Sequence, residues 1–299
     1  MNKLLLTYIL TIGISAAAGV GTGIVLKKTI GPIDEMYPPG FDPAEFSPDV
    51  DDIMSRYSKL SDKSINGMRG FSDAEVVNVV MQKYRDCKNT YSVSIGNANT
   101  IVTQTIRNAQ IRNGDEFFEE QLSYSSMVAV ATRAYQTGVG GDVKVHQGTP
   151  SGPETASYPG SPTTTYSSKD YKDYLGKTLD EVFIYVISDK TTVSSSKSTK
   201  GDETSIKMQL NPNLSTFYYK TQMKNLSGLS NLPPFSEVNL TFTFKNNLEL
   251  KHLSIDETFT ATKEGIPVPA KTNNVIEISY HYDSSLAIPK PNEPFNYKI

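Results

Sequence analysis

The sequence predicts an α+β fold, a strongly curved antiparallel sheet packed on a few helices and preceded by an N-terminal membrane or signal helix. Three observations predict it. One helix is capped at 72–87, apolar residues alternate strictly along Val238, Leu240, Phe242 and Phe244, and a run of short β segments turns at Asn113-Gly114.

From Leu4 to Leu26 no charge interrupts the chain, and Lys3, Lys27 and Lys28 flank the run. About 20 apolar residues rising 1.5 Å each cross the roughly 30 Å of a bilayer's hydrocarbon. Two readings stand: an uncleaved signal anchor, favoured by the length, and a signal peptide cut after Ala16-Ala17-Ala18. Gly13, Gly19, Gly21 and Gly23 argue against a buried soluble helix, since each costs up to about 1 kcal/mol relative to Ala there. Lys27 and Lys28 outnumber Lys3, so charge alone would keep the C-terminal side in the cytoplasm. The character of the C-terminal domain instead gives the expectation of a single-pass membrane protein with that domain extracytoplasmic, secreted if the segment is cleaved.

The division expected is 1–30 as anchor or signal, 31–70 as a proline-rich acidic spacer, and 71–299 as the folded domain. Residues 31–48 hold five Pro, a composition that extends a chain. The stretch Asp49 to Leu60 comes next, either a stalk helix or disordered. At Ser72-Asp73-Ala74-Glu75 a capping box opens a helix, with Phe71 and Val76 at the staple positions and Val76, Val77, Val80, Met81 and Tyr84 on one stripe. Short strands then run from Tyr91 to about Val145, with a second turn at Gly138 to Asp142. Residues 148–168 are 17 of 21 Gly, Ser, Thr or Pro, which predicts a flexible loop.

Thr178 to Glu181 is a second box, expected to open a short helix through Phe183, Ile184 and Ile187. A hairpin turns at Lys200-Gly201-Asp202. Asn211-Pro212 starts a helix with cap and first-turn proline in order, running through Leu214, Phe217, Met223 and Leu226 to Gly228. The β pattern then resumes, slips phase at His252 to Leu253 as at a bulge, and places Ile276, Ile278, Tyr280 and Tyr282 on one face of a last strand. Ala287 to Ile299 is a tail with three Pro.

The segments FSDAEVVNVVMQKY, IRNGDEFFEEQLSYSS, YYKTQMKNLSGL and VNLTFTFKNNLELKHLSIDETF, in this order, resemble the LolA/LppX-like family of bacterial envelope proteins. The likeness is one of element order over about 71–285, without a lipidated Cys. It implies a hydrophobic cavity between sheet and helices. The candidate lining is then Val76, Val80, Met81 and Tyr84 from the helix, with Leu240, Phe242, Phe244, Ile276, Ile278 and Tyr280 from the last strands.

The function expected is a membrane-anchored extracytoplasmic protein holding a lipid or other apolar ligand in the sheet's concave face. The alternative is a surface or envelope interaction module with a filled core, no small-molecule ligand, and an envelope protein as partner. Net charge is −3 with 29 basic and 32 acidic residues, so no nucleic-acid partner is expected. No enzyme is expected either, since no nucleophile elbow, zinc or phosphate-loop motif occurs. One Cys and the isolated His146, His252 and His281 predict neither an internal disulfide nor a metal site, and no cofactor. The carboxylate pairs Asp115-Glu116, Glu119-Glu120 and Asp256-Glu257 read as solvated strand edges.

Overall fold

A computed structural model describes residues 41–99, 103–124, 129–152, 154–158, 163–175, 177–181, 185–220, 234–261, 270–282 and 286–294. The apolar run Leu4 to Leu26, and the residues Phe183, Ile184 and Met223 to Gly228, lie outside them. Among the described residues no helix is long and apolar enough to cross a membrane.

Twelve strands form one antiparallel sheet: β1 (Asn89–Asn99), β2 (Thr103–Asn113), β3 (Glu116–Tyr124), β4 (Ala129–Thr137), β5 (Val143–Pro150), β6 (Ala156–Ser157), β7 (Thr163–Tyr166), β8 (Thr192–Lys200), β9 (Glu203–Leu210), β10 (Phe235–Lys245), β11 (Leu250–Ala261) and β12 (Ala270–His281). The spatial order is β6-β5-β4-β3-β2-β1-β12-β11-β10-β9-β8, with β7 also on β5. Two meanders are therefore joined where the first strand meets the last.

The α-helices lying wholly within the described residues are α1 (Val50–Ser58), α2 (Asp73–Asp86), α3 (Ser168–Leu175) and α4 (Pro212–Ser215). The α+β expectation is thus corrected: twelve strands in one sheet, against four helices of which three span nine residues or fewer, make the described residues mainly β. The reason is local. The Thr178 box closes one turn, with Glu181 accepting from the Thr178 amide at 3.1 Å, but Tyr185 to Ile187 take no helical conformation. They cross α2 as a strap, its Asn78 amide donating to the Ile187 carbonyl at 2.9 Å. The expected loop 148–168 likewise holds the short strands β6 and β7 and a buried Tyr158.

Other local signals produce the elements they predict. Ser72 and Glu75 form both arms of the capping box on α2. Gly114 turns β2 into β3 at a φ of 63°, a conformation only glycine adopts without strain. Thr243 pairs His252 while Phe244 pairs Leu250, which leaves Lys251 as the extra residue of a bulge. Asn211 caps α4 with Pro212 in the first turn, but α4 ends at Ser215, and the helix expected to run on through Phe217 is broken there because the chain leaves helical geometry at Thr216.

Residues opposite each other in register share a face, and that rule shows an inversion across the sheet. On β9–β12 the apolar side carries Ile206, Leu240, Phe242, Leu253 and Ile276, and α1, α2 and the strap cover it. Ile53, Tyr57, Ile65 and Met68, ahead of Phe71, belong to this core. Across the β12–β1 junction, Ile278 and Tyr280 face Ser94 and Ser92. The apolar residues of β1–β3, Tyr91, Val93, Ala109, Ile111 and Phe118, lie on the opposite side, where Leu286 and Ile288 of the C-terminal tail pack on them.

The sheet is thus covered on one face along β9–β12 and on both faces along β3–β4, where Phe117 and Ala134 pack under Tyr171 and Leu179 on the side opposite Phe118. Arg133 anchors the tail: its Nη1 donates to the carbonyls of Lys290, Pro291 and Glu293 at 3.0, 3.1 and 2.6 Å, while its Nε pairs with Glu120 and its guanidinium lies 4.1 Å from the centre of the Tyr158 ring. Burying an ion pair carries a desolvation penalty of several kcal/mol per ion, offset here by the acceptors on Nε and Nη1.

Phe242 is wholly buried and Val193 is 62% exposed. Phe242→Ala is expected to cost about 3–5 kcal/mol in denaturant unfolding, from lost transfer energy and the cavity left behind. Val193→Thr is expected to stay within about 0.5 kcal/mol of the parent.

Candidate functional site

All ten residues expected to line a pocket come together, but against one another. Val76, Val80, Phe242 and Phe244 have no exposure, Leu240, Ile276, Tyr84 and Tyr280 are buried, and Met81 and Ile278 pack at the cluster's margin. Tyr84 meets Tyr280 edge to face at a centroid distance of 4.9 Å. Side chains interdigitate here as in an ordinary interior.

Open space lies on the other side of α2. A groove of about 550 Å³ is lined by Val50, Met54, Gln82, Arg85, Arg112, Val139 and Asp180, among others. It continues through shared residues Val50, Gln82 and Arg85 into a further hollow of about 220 Å³ floored by Val77, Met81 and Ile187. The helical spacing that buries Val76 and Val80 against the sheet turns Asn78, Gln82 and Arg85 outward. Arg85 pairs with Asp180 at 2.9 Å, and Thr178 donates to the same carboxylate at 2.5 Å. Burial pushes the Asp180 carboxyl up, but these two hydrogen bonds outweigh it and hold it below the usual range. Arg112 reaches the Arg85 carbonyl and stacks 5.1 Å from the centre of Phe117. The groove therefore offers an apolar floor with fixed charges at one end.

The carboxylate pairs divide between surface and interior. Asp115, Glu116 and Asp256 are exposed, whereas Glu119, Glu120 and Glu257 are at most 2% exposed. The solvated-edge reading is corrected for those three: Glu119 and Glu120 point to opposite faces of a strand covered on both sides, and Glu257 is the one of its pair that faces a covered side. Glu257 receives hydrogen bonds from the Tyr185 and Tyr219 hydroxyls and from the Asn274 amide at 2.8 Å, all neutral donors. Burial pushes its carboxyl up to about 7.

The histidines stand apart. His252 and Ser254 each bond Glu277, at 2.9 and 2.7 Å, so the carboxylate sits between them and not behind the imidazole, as a nucleophile, base and orienter would need. His146 bonds Thr163 at 3.1 Å, and His281 stacks on Tyr91. Burial, with Asp86 adding to it, raises the Cys87 thiol, which donates to the Lys83 carbonyl. Among the described residues no group of three or more His, Cys, Asp or Glu is placed to hold a metal ion. Sequence reasoning missed the groove, whose walls come from five separate segments.

No family model matches the chain, and no curated protein matches it. Among solved structures it is similar to the N-terminal β-barrel domain of Pseudomonas aeruginosa OprF, at 7% identity over 65% of this chain and 98% of that one, with a TM-score of 0.18. A likeness at that score carries no argument.

Glu257 gives a pH dependence with a definite sign. Its folded-state value of about 7 stands above the ordinary 4.5, so the folded state holds the proton more tightly. Stability is expected to fall by roughly 3 kcal/mol as pH rises from about 4.5 to about 7, then to level off. Chemical denaturation across that range should show the slope in the parent and lose it in Glu257→Gln.

Proposed function

We propose that this chain is a membrane-tethered, extracytoplasmic protein-interaction module with a filled core, which takes its partner in the groove along the outer side of α2. The observation that carries this reading is where the space lies. The aromatic and aliphatic residues that would enclose an apolar ligand fill one another's volume, while the open groove beside Met54, Met81 and Arg85 has an apolar floor and polar rim. Interaction surfaces combine a desolvated centre with charged groups at the margin, and Met and Arg are common in them. The uncharged run Leu4 to Leu26 supports the tether.

A photo-reactive residue at Met54 is expected to cross-link a defined envelope protein in intact cells, and one at Val275, on the far face of the sheet, is not. Native mass spectrometry of the purified chain is expected to show no stoichiometric apolar ligand. A lipid bound one to one would return the reading to a ligand carrier. Protease added outside the cells should degrade the domain, and full protection would place it in the cytoplasm.

A further inference from the structure

Lys177 is buried beneath the covered side of β2–β4, and its ammonium donates to Oε2 of Glu119 at 3.0 Å. Gln110 donates to that same oxygen at 2.7 Å, and the side-chain amide of Asn108 donates to Oε1 at 3.1 Å. One carboxyl thus touches an amine on one oxygen and a primary amide on the other. Glu119 is 1% exposed and Asn108 and Lys177 are each 8% exposed. Phe117, Ala134, Tyr171 and Leu179 close the surroundings. The buried Tyr171 hydroxyl, with no hydrogen-bond partner among the described residues, lies within electrostatic reach of Glu119.

We propose that this triad makes an intramolecular isopeptide bond between Lys177 Nζ and Asn108 Cγ, with Glu119 as the catalytic acid and base. A proton passes from Nζ to Oε2 of the carboxylate it touches and frees the amine as a nucleophile. Nζ attacks Asn108 Cγ, and the bond from Cγ to Nδ2 breaks. Of the three ammonium protons, one stays on the new amide, one leaves with Nδ2 as ammonia, and one remains on Glu119, which ends as a neutral acid. No oxidant or further reactant is required. Asn108 is the acceptor, and Gln110 is not, because the amide nitrogen that must leave as ammonia lies on Oε1 while the amine delivers its proton to Oε2, so a single carboxyl serves both ends of the transfer. Holding both partners on one carboxyl supplies the proximity that makes amide exchange feasible without an external enzyme.

The bond would staple the segment after α3 to β2 in a chain whose one Cys allows no internal disulfide. The test is the mass of the full chain purified in the folded state and compared, after the same N-terminal processing, with Lys177→Arg and Glu119→Gln. The parent is expected to be lighter than its sequence by one ammonia, both variants to have full mass, and a digest of the parent to contain one branched peptide joining Lys177 to Asn108. Full mass in the folded parent overturns the proposal, whether or not the variants fold. So does an ammonia loss that maps to a cyclic imide at Asn113-Gly114, or to a link at Gln110.

Discussion

The pairing of β1 with β12 is the interaction on which the rest of this molecule depends. Nine register pairs, from Tyr91 with His281 to Asn99 with Asn273, join two meanders that are otherwise closed within themselves. The partners lie far apart in the chain, so the contact carries a loop-closure cost that local hairpins do not. Once made, it sets the phase of one half of the sheet against the other. Everything that covers the sheet depends on that phase: helices under β9–β12, and the proline-containing tail over β1–β4.

A sheet with its apolar side inverted midway has two half-cores instead of one. Each leaves a polar half-face. Beneath α3 and the turn at Thr178 that half-face is also covered, which brings Asn108, Gln110, Glu119 and Lys177 into contact away from water. On the far side of β10–β12 it stays exposed, and Ser254, His252 and Glu277 form only a solvated cross-strand cluster. Polar cross-strand clusters therefore meet opposite surroundings according to whether a segment crosses over them. The proposed groove arises from the same geometry, since α2 buries its valine stripe in one half-core and leaves its other side between α1 and the strap.

Much of the local structure was legible because its causes are local. A Ser with a Glu three residues on satisfies helix amide groups wherever it occurs. Asn113-Gly114 makes a tight turn, and alternation from Val238 to Phe244 makes a half-buried strand. The Thr178 box failed to predict a helix because the cap signal specifies only a start, and Tyr185 and Ile187 gain more by packing against α2 and the sheet than by continuing a turn. The carboxylates of β3 and β11 were misread for a related reason, in that alternation places a residue on a face but does not say which faces are covered.

By itself the sequence determined the capped helix, most strand positions, the turns, the bulge and the apolar residues that would form a core. The tertiary structure alone decided that these make a mainly-β sheet whose apolar side changes at the β12–β1 junction, that Val76, Val80, Phe242 and Phe244 are buried in one cluster, and that Lys177, Glu119 and Asn108 meet. The physical reason is register. A strand's own pattern tells which of its residues point together, but a shift of one residue in the β1–β12 pairing would carry them all to the other face, and only the long-range contact fixes that choice.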